Sequence, residues 1–335
     1  MSTFFSRRAD GTASPVAVWA ALLIVYVVWG STYLAIRVVD ETMPPMLAAA
    51  ARFIAAGAVL YAWMLLRHGR AGVRVSAREL AASVAVGAAL LVGGNGLLMI
   101  AEKHVASGLA SLLIASEPIW IVALRLVARE RVSRLTVAGL VVGLAGVAVL
   151  VLPGGASDRT AMAGLAMLIG AAGSWALGSY FSARVPLPGH PLLSTATQML
   201  TGGVLMAILG LARGEGSALD PSAFSASSIA GLVYLIVFGS LVAFTAYVWL
   251  LQNAPISHVS TYAYVNPVIA IFLGWALAGE SVTLGILAGA AIIVGSVALI
   301  VREEGKSQPE VSEEAAEPRA HAPAPVEVCE GSPAA

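Results

Sequence analysis

Between Val16 and Val301 the chain is a succession of ten apolar runs, each of a length that crosses a lipid bilayer, separated by short polar breaks. A hydrocarbon core takes about 20 mainly apolar residues per helix. The runs fall at 16–38, 45–66, 80–101, 106–127, 135–152, 162–183, 192–212, 228–250, 257–277 and 284–301. Barrel strands would instead read as alternating segments of roughly ten residues, whereas Leu135 to Leu152 and Leu284 to Val301 are almost unbroken Leu, Val, Ile, Ala and Gly. Lipid offers the backbone no hydrogen-bond partner, so each run has to satisfy its own amides as a helix. The expected fold is an all-α integral membrane protein of ten transmembrane helices. With 59% hydrophobic and 11% charged residues and a mean hydropathy of +0.86, a soluble domain is excluded, because it could not hide that much apolar surface.

The breaks contain the expected helix stops: Pro44-Pro45, the Arg67 to Arg78 stretch, Glu102-Lys103-His104, Arg129 to Arg134, Pro153-Gly154-Gly155, Pro186 to Pro191, Arg213 to Pro221, and Gly279-Glu280-Ser281. Ten spans put both termini on one side. Positive charge gathers at the even-numbered joints, with Arg67, Arg70, Arg74, Arg78, Arg125, Arg129, Arg131, Arg134 and Arg184 against Arg37, Lys103, Arg159 and Arg213 at the odd ones. Because short cytoplasmic loops carry the excess of Lys and Arg, both termini are expected in the cytoplasm of a plasma (bacterial inner) membrane protein. Arg7-Arg8 ahead of the first run agrees. A secretion signal is the other reading of Ser6-Arg7-Arg8. Val16 to Val38 is too long for a signal h-region and lacks a small-residue cleavage site, so it reads as the first anchor.

The halves of the chain repeat. Ser107, Ser111, Pro118, Glu130, Val132, Ser133, Ala138 and Gly139 recur as Ser257, Thr261, Pro267, Glu280, Val282, Thr283, Ala288 and Gly289, at an offset of 149 to 150. Trp29, Pro45, Arg52 and Gly57 recur as Trp175, Pro191, Gln198 and Gly203 at an offset of 146. Each copy holds five helices, an odd number, so the second must enter the membrane upside down, which is the inverted repeat of many secondary transporters. The expected organisation is a cytoplasmic N-terminal segment (1–15), a first repeat (16–152), a periplasmic linker (153–161), a second repeat (162–301) and a disordered cytoplasmic tail (302–335), the last rich in Glu, Pro, Ala and Ser. The equivalent joints holding Arg129-Glu130-Arg131 and Gly279-Glu280-Ser281 differ in positive charge, as loops on opposite faces should.

Several pieces in order carry a family resemblance: Trp29-Gly30-Ser31-Thr32-Tyr33, Pro44-Pro45 with Ala51-Arg52-Phe53, Val92-Gly93-Gly94-Asn95-Gly96, Ser174 to Ser179, Tyr262-Ala263-Tyr264-Val265-Asn266-Pro267, and Gly279-Glu280. Over residues 16–301 the chain resembles the ten-helix EamA-type exporters of the drug/metabolite transporter superfamily, its YedA-like branch in particular. The resemblance implies a plasma-membrane exporter of amino acids, metabolites or drug-like compounds. It departs from the family's pattern at Glu117, where related exporters carry an uncharged residue.

Polar groups inside a span are costly, so they point to a cavity or a partner. On the first helix Trp29, Thr32, Tyr33 and Arg37 share one face, which reads either as a cargo surface or as packing with an interfacial aromatic. Glu117, beside Pro118, should lie near the midplane of the fourth helix. It is the candidate for proton coupling and cargo binding, with a structural pairing to Arg52 or Arg125 as the alternative. Its repeat equivalent, Asn266 before Pro267, has Tyr262 one turn earlier, and the proline frees a backbone carbonyl that can line a site or simply kink the helix. Asn95 pairs with Thr245 in the second half, together with Tyr247, although Gly93, Gly94 and Gly96 also serve close packing, as does Gly139-x-x-x-Gly143. With Trp175, the equivalent of Trp29, the candidate substrate-binding set is Trp29, Thr32, Tyr33, Asn95, Glu117, Trp175, Tyr247, Tyr262 and Asn266. Arg52 reads as a salt-bridged structural residue near the outer face.

No enzymatic constellation is present. There is no His-Glu-x-x-His, no paired aspartates, no Walker loop, and the five histidines all fall in joints, helix ends or the tail. The single Cys329 excludes an internal disulfide, no cofactor or metal is expected, and the zero net charge without a basic block gives no nucleic-acid partner. The expected partners are a small-molecule substrate and the bilayer, in a monomer or homodimer. The expected activity is export by alternating access, proton-coupled through Glu117 if that residue titrates, with a facilitative channel or a non-transporting sensor or scaffold as alternatives.

Overall fold

The computed structural model describes residues 14–151, 159–254 and 261–307. Ten helical segments stand among them, here numbered in chain order: α1 (Pro15–Asp40), α2 (Pro45–Gly72), α3 (the consecutive pieces Ala77–Gly87, Ala88–Gly96 and Leu97–Glu102), α4 (Ser107–Ile114 and Glu117–Val127), α5 (Arg134–Val151), α6 (Arg159–Ser182), α7 (Pro191–Ala212), α8 (Ala226–Tyr234, Leu235–Val242 and Ala243–Asn253), α9 (Tyr262–Ala278) and α10 (Leu284–Ser307). Seven are long and apolar enough to cross a membrane; the apolar stretches of α5, α9 and α10 are shorter, at Arg134–Val149, Val265–Ala278 and Leu284–Ile300. Proline opens α1, α2 and α7, where its missing N–H costs nothing. A capping box of Ser76 with Glu79 opens α3, and Gly279, at φ 65°, closes α9.

The packing is exchanged between the halves. In the first repeat α1 lies against α8 and α9 of the second, and its equivalent α6 lies against α3 and α4 of the first. Equivalent helices also meet each other: α2 with α7, α4 with α9, and α5 with α10. This is the contact pattern of a two-fold axis relating the copies, and five helices per copy make the repeat an inverted one. The fold is the expected ten-helix membrane protein of two inverted five-helix repeats. Large side chains on its outside are apolar, with Leu66 83%, Val127 82% and Leu284 84% exposed, while Ser83, Ser107, Ser111 and Thr136 are buried between helices. That distribution suits a lipid-facing surface and a polar-tolerant interior.

Small residues set the closest approaches. A Cβ on Gly139 would lie 2.8 Å from Ile300, one on Gly146 would lie 2.7 Å from Ile292, and one on Gly143 would collide with Ser296 and Ile119. The Ser296 hydroxyl donates to the Gly139 carbonyl at 2.9 Å, so the stripe joins α5 to α10 by backbone proximity.

Four details differ from the expectation. The span at 106–127 is not one helix: α4 breaks at Ala115-Ser116, because Pro118 has no N–H for the Ile114 carbonyl and its ring crowds that turn. The third helix of each repeat carries a π-helical stretch, Ala88–Gly96 and Leu235–Val242, at equivalent positions, which periodicity did not foretell. Helix α10 continues to Ser307, past the expected end at 301, and α6 starts at Arg159, inside the expected linker. The expected start of the ninth span at 257, Cys329 and the rest of the tail lie outside the described residues.

Candidate functional site

Where α1, α2, α3, α4, α6 and α9 converge they enclose a cavity of about 110 Å³. Of the nine residues singled out in the sequence, Trp29, Thr32, Tyr33, Asn95, Glu117, Trp175, Tyr262 and Asn266 line it. Both repeats contribute, and the breaks do the positioning: Ile114, Ala115 and Glu117 come from the interruption of α4, and Ala263, Asn266 and Pro267 from the equivalent turn of α9. Pro267 cannot donate to the carbonyl of Ala263, so a backbone acceptor is freed at the cavity wall.

One wall is aromatic. The Trp29 ring packs edge-on to Tyr262 at 5.3 Å and tilted against Tyr247 at 5.1 Å, with Phe244 at 6.1 Å. Its Nε1 donates to the Gly239 carbonyl at 3.1 Å. Tyr247 does not line the cavity; it stands behind Trp29 and against Tyr262 at 5.8 Å, holding both rings in place. Such pairs are each worth about 0.5–1.5 kcal/mol beyond area burial, so this wall is built to be stiff. Opposite, Trp175 lies on Gly94, where a Cβ would come within 2.6 Å of the ring. Each repeat's first-helix tryptophan thus rests on the third helix of the other repeat.

The polar groups are arranged differently from the expectation. Glu117 accepts from the Ser179 hydroxyl at 3.0 Å and pairs with neither Arg52 nor Arg125. Arg125 is taken by Glu130 at 3.0 Å, because the second half of α4 carries it down to the following joint. Arg52 is not an outer-face ion pair either. It is 5% exposed, lines the cavity, donates from Nε to Ser240 at 2.9 Å and lies 4.8 Å from the Phe53 ring; its NH1 has no hydrogen-bond partner. Helix α2 faces α8 at this level, and α8 offers a hydroxyl where a carboxylate was anticipated. Asn266 is 7% exposed with its Oδ1 unpartnered. Asn95 is equally buried, but Thr245, its expected counterpart, is exposed, because the matched π-helical stretches set α3 and α8 at an offset of 147 and not 150. Among the described residues no group of His, Cys, Asp and Glu is arranged to hold a metal.

Two ion pairs stand beyond the cavity, related by the repeat. At one, Arg37 NH1 meets Glu280 Oε1 at 2.8 Å, and the same carboxylate accepts from the backbone N–H groups of Ser107 at 2.9 Å and Gly108 at 3.1 Å. At the other, Arg184 NH2 meets Glu130 Oε1 at 2.7 Å, with Tyr180 donating to the same oxygen at 2.6 Å. The Tyr180 hydroxyl, then Arg125 and Arg184, hold the Glu130 carboxyl below the usual carboxylate range. Glu130 and Glu280 match in the sequence repeat, whereas the correspondence of Arg37 and Arg184 lies at a different offset, 147, and is not evident from it. Ser179 and Ser240 were not legible either, since a lone serine in an apolar helix carries no signal of what it faces.

A model of a family described as EamA-like transporters matches residues 16–152 and 162–302, one match per repeat. The chain is 34% identical over 283 residues to the uncharacterized inner membrane transporter YedA of Escherichia coli (strain K12), covering 82% of this chain and 90% of that protein. It is 30% identical over 290 residues to a probable terminal-alkyne amino-acid exporter of Streptantibioticus cattleyicolor, covering 85% and 93%. A solved crystal structure, 22% identical in sequence, superposes with a TM-score of 0.59 over 88% of this chain and 100% of its own, a likeness of fold alone.

Proposed function

The chain belongs to the EamA-like transporter family, and we propose that it exports small zwitterionic molecules with an apolar side chain across the plasma membrane by alternating access, with both termini in the cytoplasm. The observation that carries this reading is that one cavity holds a basic and an acidic side chain that do not pair with each other: Arg52 with a free NH1, and Glu117 held by a single serine hydroxyl. A guanidinium suits a carboxylate, and a carboxylate suits an ammonium. The aromatic wall of Trp29, Trp175 and Tyr262 takes the apolar part. The unpartnered Oδ1 of Asn266 and the freed carbonyl of Ala263 are acceptors for the remaining ammonium hydrogens. That a relative is named for amino-acid export supports this class.

Glu117 serves a second purpose in this scheme. A substrate ammonium and a proton are alternative ways to neutralise one carboxylate in a low-dielectric site, so the loaded and the protonated forms exclude each other. Exchange of cargo outward for a proton inward follows from that competition. In this scheme the repeats rock about the cavity, and making and breaking the Arg37–Glu280 and Arg184–Glu130 pairs closes the two faces in turn.

The experiment is flux in proteoliposomes holding purified protein, screened against amino acids and hydrophobic cations with and without a pH gradient. Saturable, gradient-driven movement of zwitterions supports the reading. Movement of cations only refutes the zwitterion assignment, and movement of nothing across a broad pool favours a sensor or scaffold.

A further inference from the structure

Asp40 ends α1 and Glu102 ends α3, outside the cavity and on the side of the molecule that holds the Arg37–Glu280 pair. Asp40 is 9% exposed and Glu102 3%, and all four of their carboxyl oxygens are buried without a hydrogen-bond partner. The helix that Asp40 ends packs against the Leu97–Glu102 piece of α3, and Glu102 lies within electrostatic reach of Asp40, Glu280 and Arg37, as Asp40 does of Lys103 and Glu215. Neither is needed to cap a helix or to bind cargo in the central site.

The charged groups around them are otherwise engaged or exposed. Arg37 on α1 is bound to Glu280, and Glu280 also holds the N-terminus of α4. Glu215, beyond α7, accepts from the backbone N–H of Leu47 at 3.0 Å. Glu41, Lys103, His104, Arg213 and Asp220 are exposed. Helix α8 has no charged residue, and the first half of α4 none before Glu117; α8 meets this region through hydroxyls, with Ser228 donating to the Val38 carbonyl at 2.7 Å and Thr42 accepting from the Ser225 N–H at 3.2 Å. Two nearby buried carboxyls whose oxygens meet no donor are costly to charge together, and a proton bound at the pair is the cheapest neutraliser.

We propose that Asp40 and Glu102 form a proton-binding carboxyl pair, separate from the central cavity, whose occupancy sets the Arg37–Glu280 tie. With the pair protonated, Arg37 has one carboxylate to serve, Glu280. When the pair releases its proton to solvent past the exposed Lys103 and His104, the ionised Glu102 competes for Arg37 and loosens the joint between α1, α4 and the turn after α9. By the loop charges this is the extracytoplasmic side, the side from which an exporter that exchanges cargo for protons takes them up. The coupling role rests on the transporter reading; the proton site does not.

The test needs no substrate. Proton uptake of the purified full chain on acidification, with the carboxyl stretch followed by difference infrared spectroscopy, is compared with that of Asp40→Asn/Glu102→Gln. The wild type should take up about one proton more per chain, in steps that belong to the pair, and each single variant should titrate differently from both. Equal uptake by wild type and the folded double variant overturns the proposal. Spin labels at Glu41→Cys and Val282→Cys, with Cys329→Ser, read the tie: their separation should change with pH when the pair is intact and stay fixed in the double variant. The same pH response in both overturns the link to Arg37. A failed transport screen touches neither readout.

Discussion

Arg37 and Glu280 meet at 2.8 Å across the interface of the two repeats, and Arg184 and Glu130 repeat the arrangement at 2.7 Å where the inverted copy requires it. The two are not equal. The Glu280 side chain is 8% exposed and also holds two backbone N–H groups of α4, whereas Glu130 is 30% exposed and Arg184 43%. Glu280→Ala should therefore destabilise by about 1.5–3 kcal/mol, the range for lost hydrogen bonds to a charged group. Arg184→Ala should cost under about 1 kcal/mol, as exposed ion pairs do. Thermal unfolding in detergent ranks the two; a larger loss at Arg184 would contradict this account.

Glu130 gives a pH signature. Its carboxyl is held below its ordinary value by Tyr180, Arg125 and Arg184, so its stabilising effect is fully present above the unfolded-state glutamate range, near pH 4.3, and is lost as pH falls through the lower folded value. The melting temperature of the wild type should fall on acidification through that window, and Glu130→Gln should flatten that limb. A limb unchanged by the substitution would assign it to other acids.

The α5–α10 contact depends on the absence of a side chain. Gly143 faces Ser296 and Ile119 with no room for a Cβ, so Gly143→Val should cost about 1–3 kcal/mol by overpacking. Gly285, which meets only Thr283 Oγ1 at 3.8 Å, is the control, and Gly285→Ala should leave the melting temperature nearly unchanged.

What the sequence disclosed follows from which physical rules are local. Span length, proline stops and the repeat offset are properties of the chain alone, so the ten helices and their inversion were legible. Trp29, Thr32, Tyr33, Asn95, Glu117, Trp175, Tyr262 and Asn266 could be singled out because polar or amphipathic residues inside spans are rare. Their partners were not legible. Arg52 meeting Ser240, and Glu117 meeting Ser179 and not an arginine, depend on helix rotation and on the π-helical stretches that shift α3 and α8 relative to a regular helix. Thr245 turned outward for the same reason. Nothing in the sequence marks Asp40 and Glu102 as buried; packing alone makes them so.

Arg52 separates binding from structure. Its charge is buried with one nitrogen unpartnered, so Arg52→Gln removes a desolvated cation and should leave the stability within about 1 kcal/mol of wild type or above it. If the guanidinium holds cargo, the same variant should lose transport. Loss of both fold and flux would assign Arg52 a structural role.

On the proposed reading the cavity between the repeats binds a zwitterion through Arg52 and Glu117. This binding is tested most directly by exchange of a labelled small apolar amino acid across proteoliposomes holding wild type, Arg52→Gln or Glu117→Gln. The prediction is saturable exchange in the wild type, its loss in Arg52→Gln, and loss of both binding and pH-gradient drive in Glu117→Gln. Exchange that proceeds undiminished in both variants would contradict it.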